Sequence, residues 1–502
     1  MNVVLVYKGR YQVREALDLE TLAAVLNGGG HNVSLVYDAD PFGVTDNVLQ
    51  VPWLSRRLTS PERWAQKIAA LAPDVVIFSV LQATYRWSRA VAENLRSLAR
   101  CPVVFAGLHP SLVPERVMRD LCVDYVVQGE TEPIINSLLE AIASGEGLPS
   151  VGNLWHREKD GPGDGADAEP VFTFRVEPTN LDALPLPDKE LFRPHISHSY
   201  SYVAMVSRGC PFQCSFCEET CSREMYGSNY FRRKSVDTVM RELVAGMQKY
   251  RYREVIFKDS YLSGSSQWLE DLMIRYRKEI AVPFKCFCTI SGFEERTAQL
   301  LKEGGCYCIE FGLQTWNEDI RHRVLQRGET NGDAKETFDI CARHGLWYDV
   351  DHMFGLPGET EEDHRSGALQ YSELPHLNRV KVHHLVYLPG AGIIDRALEA
   401  GTVSADIREQ LADGIETDFY DAGAAGNPRL TAAYGDLFKL LPAMPKRILG
   451  WFLSGHRVLV LRYVPRLVIA LLQGLMALRS RDLRFAEYIR QYPRKILRSF
   501  RQ

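Results

Sequence analysis

Short apolar runs alternate with longer helical patterns over the first 145 residues. The runs 3–7 and 33–37 are rich in β-branched residues, and the segment 17–26 between them has apolar residues at helical spacing. Similar apolar runs follow at 75–78, 103–105 and 125–127. Strand and helix patterns that alternate in this way predict an α/β domain with a parallel sheet covered by helices on both faces.

A second alternating series runs from residue 201 to about residue 400. Its strand-like runs lie at 202–206, 254–258, 284–290, 307–311 and 348–354. We interpret this series as six successive β/α units, five of which have a recognised strand, and so predict a partial (β/α)6 barrel, two units short of a complete one. Because parallel barrels carry their active sites at the carboxyl ends of the strands, the residues that follow these runs are candidate site residues.

The remaining segments have other compositions. Residues 146–200 have a linker-like composition, with a Gly- and Asp-rich stretch at 160–167 and Pro-rich residues at 184–188. The sequence therefore predicts a Rossmann-like domain at 1–145, a linker at 146–200, the partial barrel at 201–400 and a helical C-terminal region at 401–502.

Charge is spread unevenly along the chain. The formal net charge is −4, which implies no global affinity for nucleic acid. Residues 446–502 carry thirteen Lys or Arg against two acids, so this basic, amphipathic tail is about +11. Its apolar runs are shorter than the roughly 20 residues that span a bilayer. An amphipathic helix on an anionic membrane surface and a helical domain with a solvated basic face both remain open.

Cysteine usage and the N-terminus bear on location. The chain has eleven cysteines, and its first residues have the pattern of a β-strand instead of the charged start and apolar run of a secretory signal. Reduced cysteines and metal chemistry explain these thiols better than disulfides do. We expect a cytoplasmic protein, with a membrane-surface location left open by the basic tail.

Three cysteines form the most informative motif. Cys210, Cys214 and Cys217 have C-x3-C-x2-C spacing, with Gly209 before the motif. A cubane iron–sulfur cluster normally has four Cys ligands, so three would leave one iron open for chemistry. The alternatives are three clustered buried cysteines or a zinc knuckle, but zinc favours four ligands in paired spacing. Cys221 would lie one turn further along a helix and point away from the cluster.

This loop resembles the cluster motif of the radical S-adenosylmethionine (SAM) superfamily. The resemblance implies a [4Fe–4S] cluster whose open iron binds SAM. An external one-electron reductant of the flavodoxin or ferredoxin type would supply the electron that cleaves SAM to a 5′-deoxyadenosyl radical. The same resemblance implies that the backbone of Phe216 meets the adenine.

Further SAM contacts follow from the resemblance at the strand ends. Asp259 and Ser260 occupy the place where the family binds the methionyl amino group, although the common Gly-Gly-Glu sequence is absent. Glu310 and Gln314 match a Glu-x-Gly-x-Gln element that binds the ribose hydroxyls; a barrel ion pair is the alternative for Glu310. Arg327 is the candidate for the SAM carboxylate, and a solvated arginine is the alternative for this residue. The resemblance also implies an adenine-contacting turn formed by Gly355, Leu356, Pro357 and Gly358.

The first domain resembles the B12-binding domain of many radical SAM enzymes. Three loops after successive strand-like runs carry this resemblance. The Asp-x-His-x-x-Gly element that supplies a histidine to cobalt in many B12 proteins is absent from the loop at 8–14. The resemblance implies cobalamin as a further cofactor, with contacts from Ser79, Leu81, Gly107, His109, Gly129 and Glu130.

Two cysteine pairs leave alternatives open. Cys286 with Cys288, and Cys306 with Cys308, have strand spacing, so each pair is expected on one face of its strand. Buried hydrophobic thiols, an auxiliary cluster and contact with a radical intermediate are the three interpretations.

The resemblance implies C-methylation of an unactivated carbon in a small molecule, with a lipid-like substrate suggested by the tail. The alternatives are a non-methylating cyclase or ring-rearranging enzyme of the same architecture, and a cobalamin or redox sensor without turnover.

Overall fold

The computed structural model describes residues 1–9, 15–43, 50–157, 169–262, 266–415, 428–479, 492–493 and 496–497. The strands are β1 Asn2–Lys8, β2 Asn32–Asp38, β3 Val75–Ser79, β4 Val103–Ala106, β5 Tyr125–Val127, β6 Leu154–Arg157, β7 Pro170–Phe172, β8 Ser201–Ala204, β9 Ser207–Arg208, β10 Arg232–Arg233, β11 Glu254–Phe257, β12 Phe284–Cys288, β13 Cys306–Gln314, β14 Trp347–Phe354 and β15 Leu377–His384.

The α-helices are α1 Leu17–Gly28, α2 Pro52–Leu58, α3 Pro61–Ala69, α4 Gln82–Arg96, α5 Leu108–Leu112, α6 Pro114–Met118, α7 Ile135–Ser144, α8 Glu218–Tyr226, α9 Val236–Tyr250, α10 Ser266–Glu279, α11 Glu295–Gly304, α12 Glu318–Arg323, α13 Asn331–Arg343, α14 Glu361–Ser372, α15 Ile393–Glu399, α16 Ile407–Ala412, α17 Pro428–Phe438, α18 Lys446–Leu453 and α19 Arg466–Ala477. Short 3-10 helices lie at Leu148–Ser150, Leu181–Ala183, Lys189–Leu191, Gly227–Tyr230, Leu441–Ala443 and Arg457–Tyr463.

The N-terminal sheet has the strand order β2-β1-β3-β4-β5-β6-β7. Its first five strands are parallel, which confirms the predicted Rossmann-like domain. The chain reverses its direction of growth between β1 and β3, and open α/β sheets bind ligands at such a switch point. The predicted linker contributes β6 and β7, which extend the sheet as antiparallel strands.

Both faces of this sheet are buried. Val3, Leu5 and Ile77 pack into the core on one face, whereas Val4 and Phe78 pack into the core on the other. Successive side chains of a strand point to opposite faces, so a strand covered on both sides needs an uninterrupted apolar run. This requirement explains why the sequence showed continuous apolar runs here.

The second sheet has the order β15-β14-β13-β12-β11-β8, and all its strands are parallel. It confirms the predicted six-unit partial barrel. The sixth strand, β15, was not recognised as an apolar run because its sequence alternates, with Arg379, Lys381 and His383 between the apolar positions. A two-stranded antiparallel sheet encloses the cysteine loop, since β9 precedes the loop and β10 follows α8.

The C-terminal region completes the barrel core. Tyr434 and Phe438 of α17 are buried, and the Phe438 ring lies 5.0 Å from that of Phe354 on β14. Leu449, Val458 and Leu461 join the same core. No single described helix is long and apolar enough to cross a membrane, but Arg457–Tyr463 and α19 together pass this test on length and composition, with a bend of 103° between them.

Lys189 fastens the two domains together. Its side chain is 2% exposed, and its Nζ lies 2.7 Å from Oε2 of Glu20 on α1. The same Nζ donates a hydrogen bond of 2.8 Å to the carbonyl oxygen of Val203 on β8. A residue of the predicted linker therefore forms a buried ion pair with the first domain and a hydrogen bond with the first strand of the barrel.

Replacement of Lys189 by alanine is expected to destabilise the protein strongly. It leaves the wholly buried Glu20 carboxylate without its cation, a change that costs about 3–5 kcal/mol. The measurement is the urea midpoint of unfolding, followed by tryptophan fluorescence. The control is Lys249→Ala, which breaks a 3.0 Å surface pair with Glu190 and should shift the free energy by less than about 0.5 kcal/mol. Equal losses in both variants would contradict the proposed fastening role.

Candidate active site

The three motif cysteines lie on a loop between β9 and α8, and Cys217 is the N-cap residue of α8. Gly209 begins the loop with φ of 83°, and a Cβ there would stand 2.6 Å from the carbonyl oxygen of Tyr230. Glycine is therefore required at this position. The N–H of Ser215 donates to the carbonyl of Leu325 at 3.1 Å, and its carbonyl accepts from Ile393 at 2.9 Å. The barrel thus holds the loop from both sides.

The donor set of this loop fits an iron–sulfur cluster. All three cysteines are free thiols, and burial raises the pKa of Cys210 to about 11. A bound metal reverses this effect because it deprotonates a coordinating thiol. Nη1 of Arg327 lies 3.8 Å from Sγ of Cys214 and favours its thiolate. Among the described residues, no three His, Cys, Asp or Glu side chains converge on one ion, whereas the cysteines of a cubane bind separate irons.

Cys221 lies one turn along α8 from Cys217. Its side chain is buried in an apolar cluster with Leu325 and Leu356. This burial among apolar side chains agrees with a bystander role, and the direction of its thiol relative to the cluster stays a prediction. Phe216, expected to meet adenine through its backbone, packs its ring against the same cluster.

Asp259 connects the end of β11 to the start of the cysteine loop. Its Oδ1 accepts hydrogen bonds from the N–H of Val206 at 2.9 Å and from the N–H and Oγ of Ser207 at 2.6 Å. Burial raises the pKa of this carboxyl to about 6. Oδ2 accepts no hydrogen bond from the described residues, and the contact of Asp259 with the SAM amino group stays a prediction. The neighbouring Ser260 donates to Glu219 at 2.5 Å.

Glu310 forms ion pairs inside the barrel. Its Oε2 lies 2.5 Å from Nζ of both Lys285 and Lys381. Lys285 also contacts Asp349 at 2.7 Å. The barrel ion pair that the sequence left as an alternative is thus present, and the ribose contact of Glu310 stays a prediction. The two lysines were not singled out in the sequence, since β15 was not recognised and Lys285 lies within an apolar strand.

Gln314 and Arg327 meet beside the cysteine loop. Gln314 has φ of 70° and is buried, and its Oε1 has no hydrogen-bond partner. Arg327 donates to the carbonyl of Gly312 at 2.8 Å and to Glu329 at 2.6 Å. Arg327 is therefore a fixed, buried cation next to Cys214, and the solvated alternative is wrong. The left-handed backbone and the orphan acceptor of Gln314 mark a strained position of the kind found at ligand sites.

The predicted adenine turn follows β14. Gly355 and Gly358 have φ of 83° and 81°, which favours glycine at both positions. Leu356 and Pro357 are buried between them. Oε2 of Glu359 accepts hydrogen bonds from the N–H groups of Gly355 at 2.7 Å and Leu356 at 3.3 Å. Sequence reasoning missed Glu359; an acid directly after a Gly-Leu-Pro-Gly turn was the available signal.

Four of the residues predicted to contact cobalamin lie at or just after the carboxyl ends of β3 and β4, and their contacts with cobalamin stay predictions. Ser79 ends β3 at the switch point, and Leu81 is the N-cap residue of α4. Gly107 has φ of 102°, and a Cβ there would stand 2.9 Å from the backbone nitrogen of Val80, so protein fills its open side. His109 is fully buried, its ring 4.3 Å from that of Tyr85, and burial lowers its pKa to about 4.

Gly129 and Glu130 contact the barrel. The N–H of Glu130 donates to Oη of Tyr226 on α8 at 2.6 Å, and a Cβ at Gly129 would stand 1.9 Å from this Oη. The Glu130 carboxylate pairs with Arg232 and lies 3.5 Å from Arg208. The structure thus shows these residues in the contact between the domains, and their predicted contact with cobalamin stays a prediction. Sequence reasoning had no signal for this, because the partners are about 100 residues away.

The second set of cysteines divides between two environments. Cys286, Cys288 and Cys306 lie in the apolar core, with 3.9 Å between the sulfurs of Cys286 and Cys306. Cys308 instead lies 3.7 Å from Asp349 in the polar interior. The expectation that Cys306 and Cys308 share a face is wrong. The adjacent residues Phe284 and Lys285 of β12 pair with Cys306 and Cys308 of β13, so Tyr307 is an extra residue that forms a β-bulge. The bulge turns the two cysteines to opposite faces of the strand. The core position of the first three favours buried hydrophobic thiols.

Two family models match the chain. Residues 10–139 match the B12 binding domain, and residues 205–366 match the radical SAM superfamily. Together these matches span more than half of the chain. Both coincide with the two parallel sheets described above.

Individual relatives agree with these matches. An uncharacterised methyltransferase of Pyrococcus horikoshii, PH0819, is 26% identical over 346 residues, which are 68% of this chain and 72% of the relative. The tryptophan 2-C-methyltransferase of Streptomyces laurentii is 23% identical over 354 residues, 57% of this chain and 56% of the relative. The cobalamin-dependent SAM radical enzyme OxsB superposes with a TM-score of 0.64 at 12% identity, covering 100% of this chain and 80% of OxsB.

The fold and the cysteine loop together define a two-domain radical SAM enzyme. The chain belongs to the radical SAM superfamily, to the members that carry a B12-binding domain. Its cofactors are a [4Fe–4S] cluster, SAM and cobalamin, as predicted. Cys210, Cys214 and Cys217 would hold the cluster, and the edge formed by Gln314, Arg327 and the Gly355 turn would hold SAM.

Replacement of Cys217 by alanine is expected to prevent assembly of the cluster, whereas Cys221→Ala should retain it. The first change removes a thiol of the motif loop, and the second removes a thiol buried behind that loop. The measurement is iron and sulfide content with visible absorbance after anaerobic reconstitution. Loss of the cluster in Cys221→Ala alone would show that the loop was assigned wrongly.

Glu359 is expected to make stability depend on pH. Burial raises its pKa from 4.5 to about 8, so the folded protein keeps a proton that the unfolded chain has released. Stability therefore falls as pH rises from about 5 to 8, with a slope of at most about 1.4 kcal/mol per pH unit. Glu359→Gln keeps the acceptor oxygen but should lose this part of the slope. Urea midpoints across this range test it, and parallel curves for both proteins would contradict it.

Proposed function

We propose that the enzyme methylates an unactivated carbon of a small-molecule biosynthetic intermediate. The contact between the domains beside the cysteine loop carries this proposal. Arg208, two residues before Cys210, pairs with Glu132 of the first domain at 2.6 Å. Glu130 of the same loop bonds to Tyr226 of α8, the helix that begins after Cys217. The carboxyl-edge loops of the first sheet therefore meet the cluster loop directly.

Such a contact suits a reaction that uses groups held by both domains. When bound, SAM supplies a methyl group and the radical that abstracts hydrogen, and cobalamin carries the methyl group. The chain's own residues position and shield these groups. Arg327 and Gln314 fix the edge next to Cys214, and the Glu359 carboxylate shapes the Gly355 turn. Two relatives named methyltransferases support transfer of a methyl group by this architecture.

The ion-paired interior of the barrel supports a substrate site beside these groups. Glu310 and Lys381 lie in the same network, and His383 on the same face of β15 is half-exposed and 3.2 Å from Asp351. Polar groups on neighbouring strands can orient a substrate through hydrogen bonds, while the apolar core behind them keeps water out. A small molecule is the class of substrate that this partial barrel suits.

The proposal also includes an external electron donor for the cluster and a cytoplasmic location for the enzyme. A one-electron donor of the flavodoxin or ferredoxin type fits a cluster whose loop is half-buried and so lies near the surface. None of the eleven cysteines, all of which lie within the described residues, forms a disulfide, which supports a reducing, cytoplasmic environment.

Product analysis tests the methylation. The reconstituted holoenzyme is incubated anaerobically with trideuteromethyl-labelled SAM, a strong reductant and a metabolite extract of the source cells. We expect S-adenosylhomocysteine and 5′-deoxyadenosine together, with the label in one extract component. The matched control is Cys217→Ala, which should form no 5′-deoxyadenosine.

Other product patterns would overturn the proposal. Formation of 5′-deoxyadenosine without S-adenosylhomocysteine would indicate an oxidative cyclase or a rearranging enzyme. Absence of any SAM cleavage by a protein that contains its full cluster would indicate a sensor.

A further inference from the structure

The last regular helix of the described chain, α19, exposes an apolar stripe. Leu467, Leu471, Leu475 and Leu478 are 56%, 52%, 63% and 73% exposed, and Val468 and Leu472 are exposed beside them. At about 100° per residue these six side chains fall within roughly 140° of the helix circumference. An exposed apolar stripe of this width is large for a protein surface in contact with water, and such patches mark sites that bind a partner or a membrane.

The other side of α19 is fixed to the protein. Ile469, Met476 and Ala477 are buried, and Arg479 after the helix donates to the carbonyl of Pro442 at 2.9 Å. The helix therefore cannot roll its leucines inward without losing this packing. Exposed apolar residues also precede it, with Tyr463 at 88% exposure and Val460 and Trp451 nearly half-exposed.

The sequence before and after this stripe is rich in positive charge, although Lys446 pairs with Glu373 and Arg462 pairs with Asp436. Between residues 446 and 479 the chain has six Lys or Arg and no acid. Arg447, Arg457 and Arg466 are exposed, and within the described chain they form no ion pair with an acid. The sequence beyond, 480–502, adds seven basic residues and two acids. Leucines flanked by arginines match a surface that is apolar below and anionic above, as at the lipid headgroups of a membrane.

We propose that α19 and the basic residues around it dock the enzyme on an anionic membrane surface. A second copy of the chain fits less well, because two such faces would bring like charges together. A nucleic acid would pair with the arginines but leave the leucines in water. Membrane docking would also bring the active site to lipid-like substrates, and it does not rest on the proposed methylation.

The geometry favours lying on the membrane over crossing it. α19 has 12 residues, whereas a span needs roughly 20. The preceding 3-10 helix is bent by 103° from α19, and its Val458 and Leu461 are buried in the barrel core. A span would have to pull these residues out of the protein.

Vesicle flotation of the full-length protein tests the proposal. We expect it to float with vesicles of phosphatidylcholine and phosphatidylglycerol, to bind pure phosphatidylcholine weakly, and to be released by alkaline carbonate. Leu471→Asp with Leu475→Asp should weaken binding at least roughly tenfold. Arg457→Gln with Arg466→Gln should weaken it roughly fivefold per arginine and reduce its dependence on salt.

Two controls and a second measurement separate the outcomes. Leu121→Asp, at a leucine 60% exposed on the first domain, and Arg193→Gln should leave binding unchanged. Circular dichroism confirms that each variant is folded. Equal binding by the leucine variant, no flotation of the parent, or resistance to carbonate would overturn the proposal. So would a parent dimer in sedimentation that the leucine variant converts to monomer, since the cover would then be a second copy.

Discussion

The contact between the two sheets beside the cysteine loop is the constraint on which the rest of the site depends. Arg208 stands at the entrance of the loop and bridges to Glu132 and Glu130 of the first domain. These charged hydrogen bonds are mostly shielded from water, so they hold a defined geometry. They set the separation between the loops of the first sheet and the cluster cysteines. Lys189 sets the same relation from the other side, because it contacts both α1 and β8.

Such a contact matters because reactions between two bound groups depend steeply on position. A displacement of about 1 Å can cost a hundredfold in rate. Loops alone do not give this precision, but the cysteine loop is fastened at several points. Asp259 holds its beginning, and Ser215 ties its middle to Leu325 and Ile393. The cluster site is thus as rigid as the barrel that surrounds it.

The sequence predicted the two sheets well because buried parallel strands leave continuous apolar runs. The cysteine loop was predicted equally well, because the spacing of its three cysteines and the preceding Gly209 are visible in the sequence and indicate a cluster ligand loop. Alternating strands were not recognised: β15 carries Arg379, Lys381 and His383, so its pattern resembles that of an exposed segment. The prediction that Cys308 shares a face with Cys306 was wrong because residue spacing does not reveal the bulge at Tyr307. The roles of Glu130 and Glu310 depend on ion pairs with residues distant in sequence, which no local pattern records.

Buried oxygen atoms at the mouth of the barrel could accept hydrogen bonds from a polar ligand. Oδ2 of Asp259 and Oε1 of Gln314 are both buried and accept no hydrogen bond within the described part of the chain. A buried polar atom without a hydrogen bond costs about 1–3 kcal/mol. Asp259 follows β11 and Gln314 ends β13, which places both on the same edge of one parallel sheet. The same edge carries the left-handed backbone at Gln314 and the glycines of the Gly355 turn. Unmet acceptors and strained backbone are tolerated there because a ligand rich in donors, such as the ammonium and ribose groups of SAM, would satisfy them.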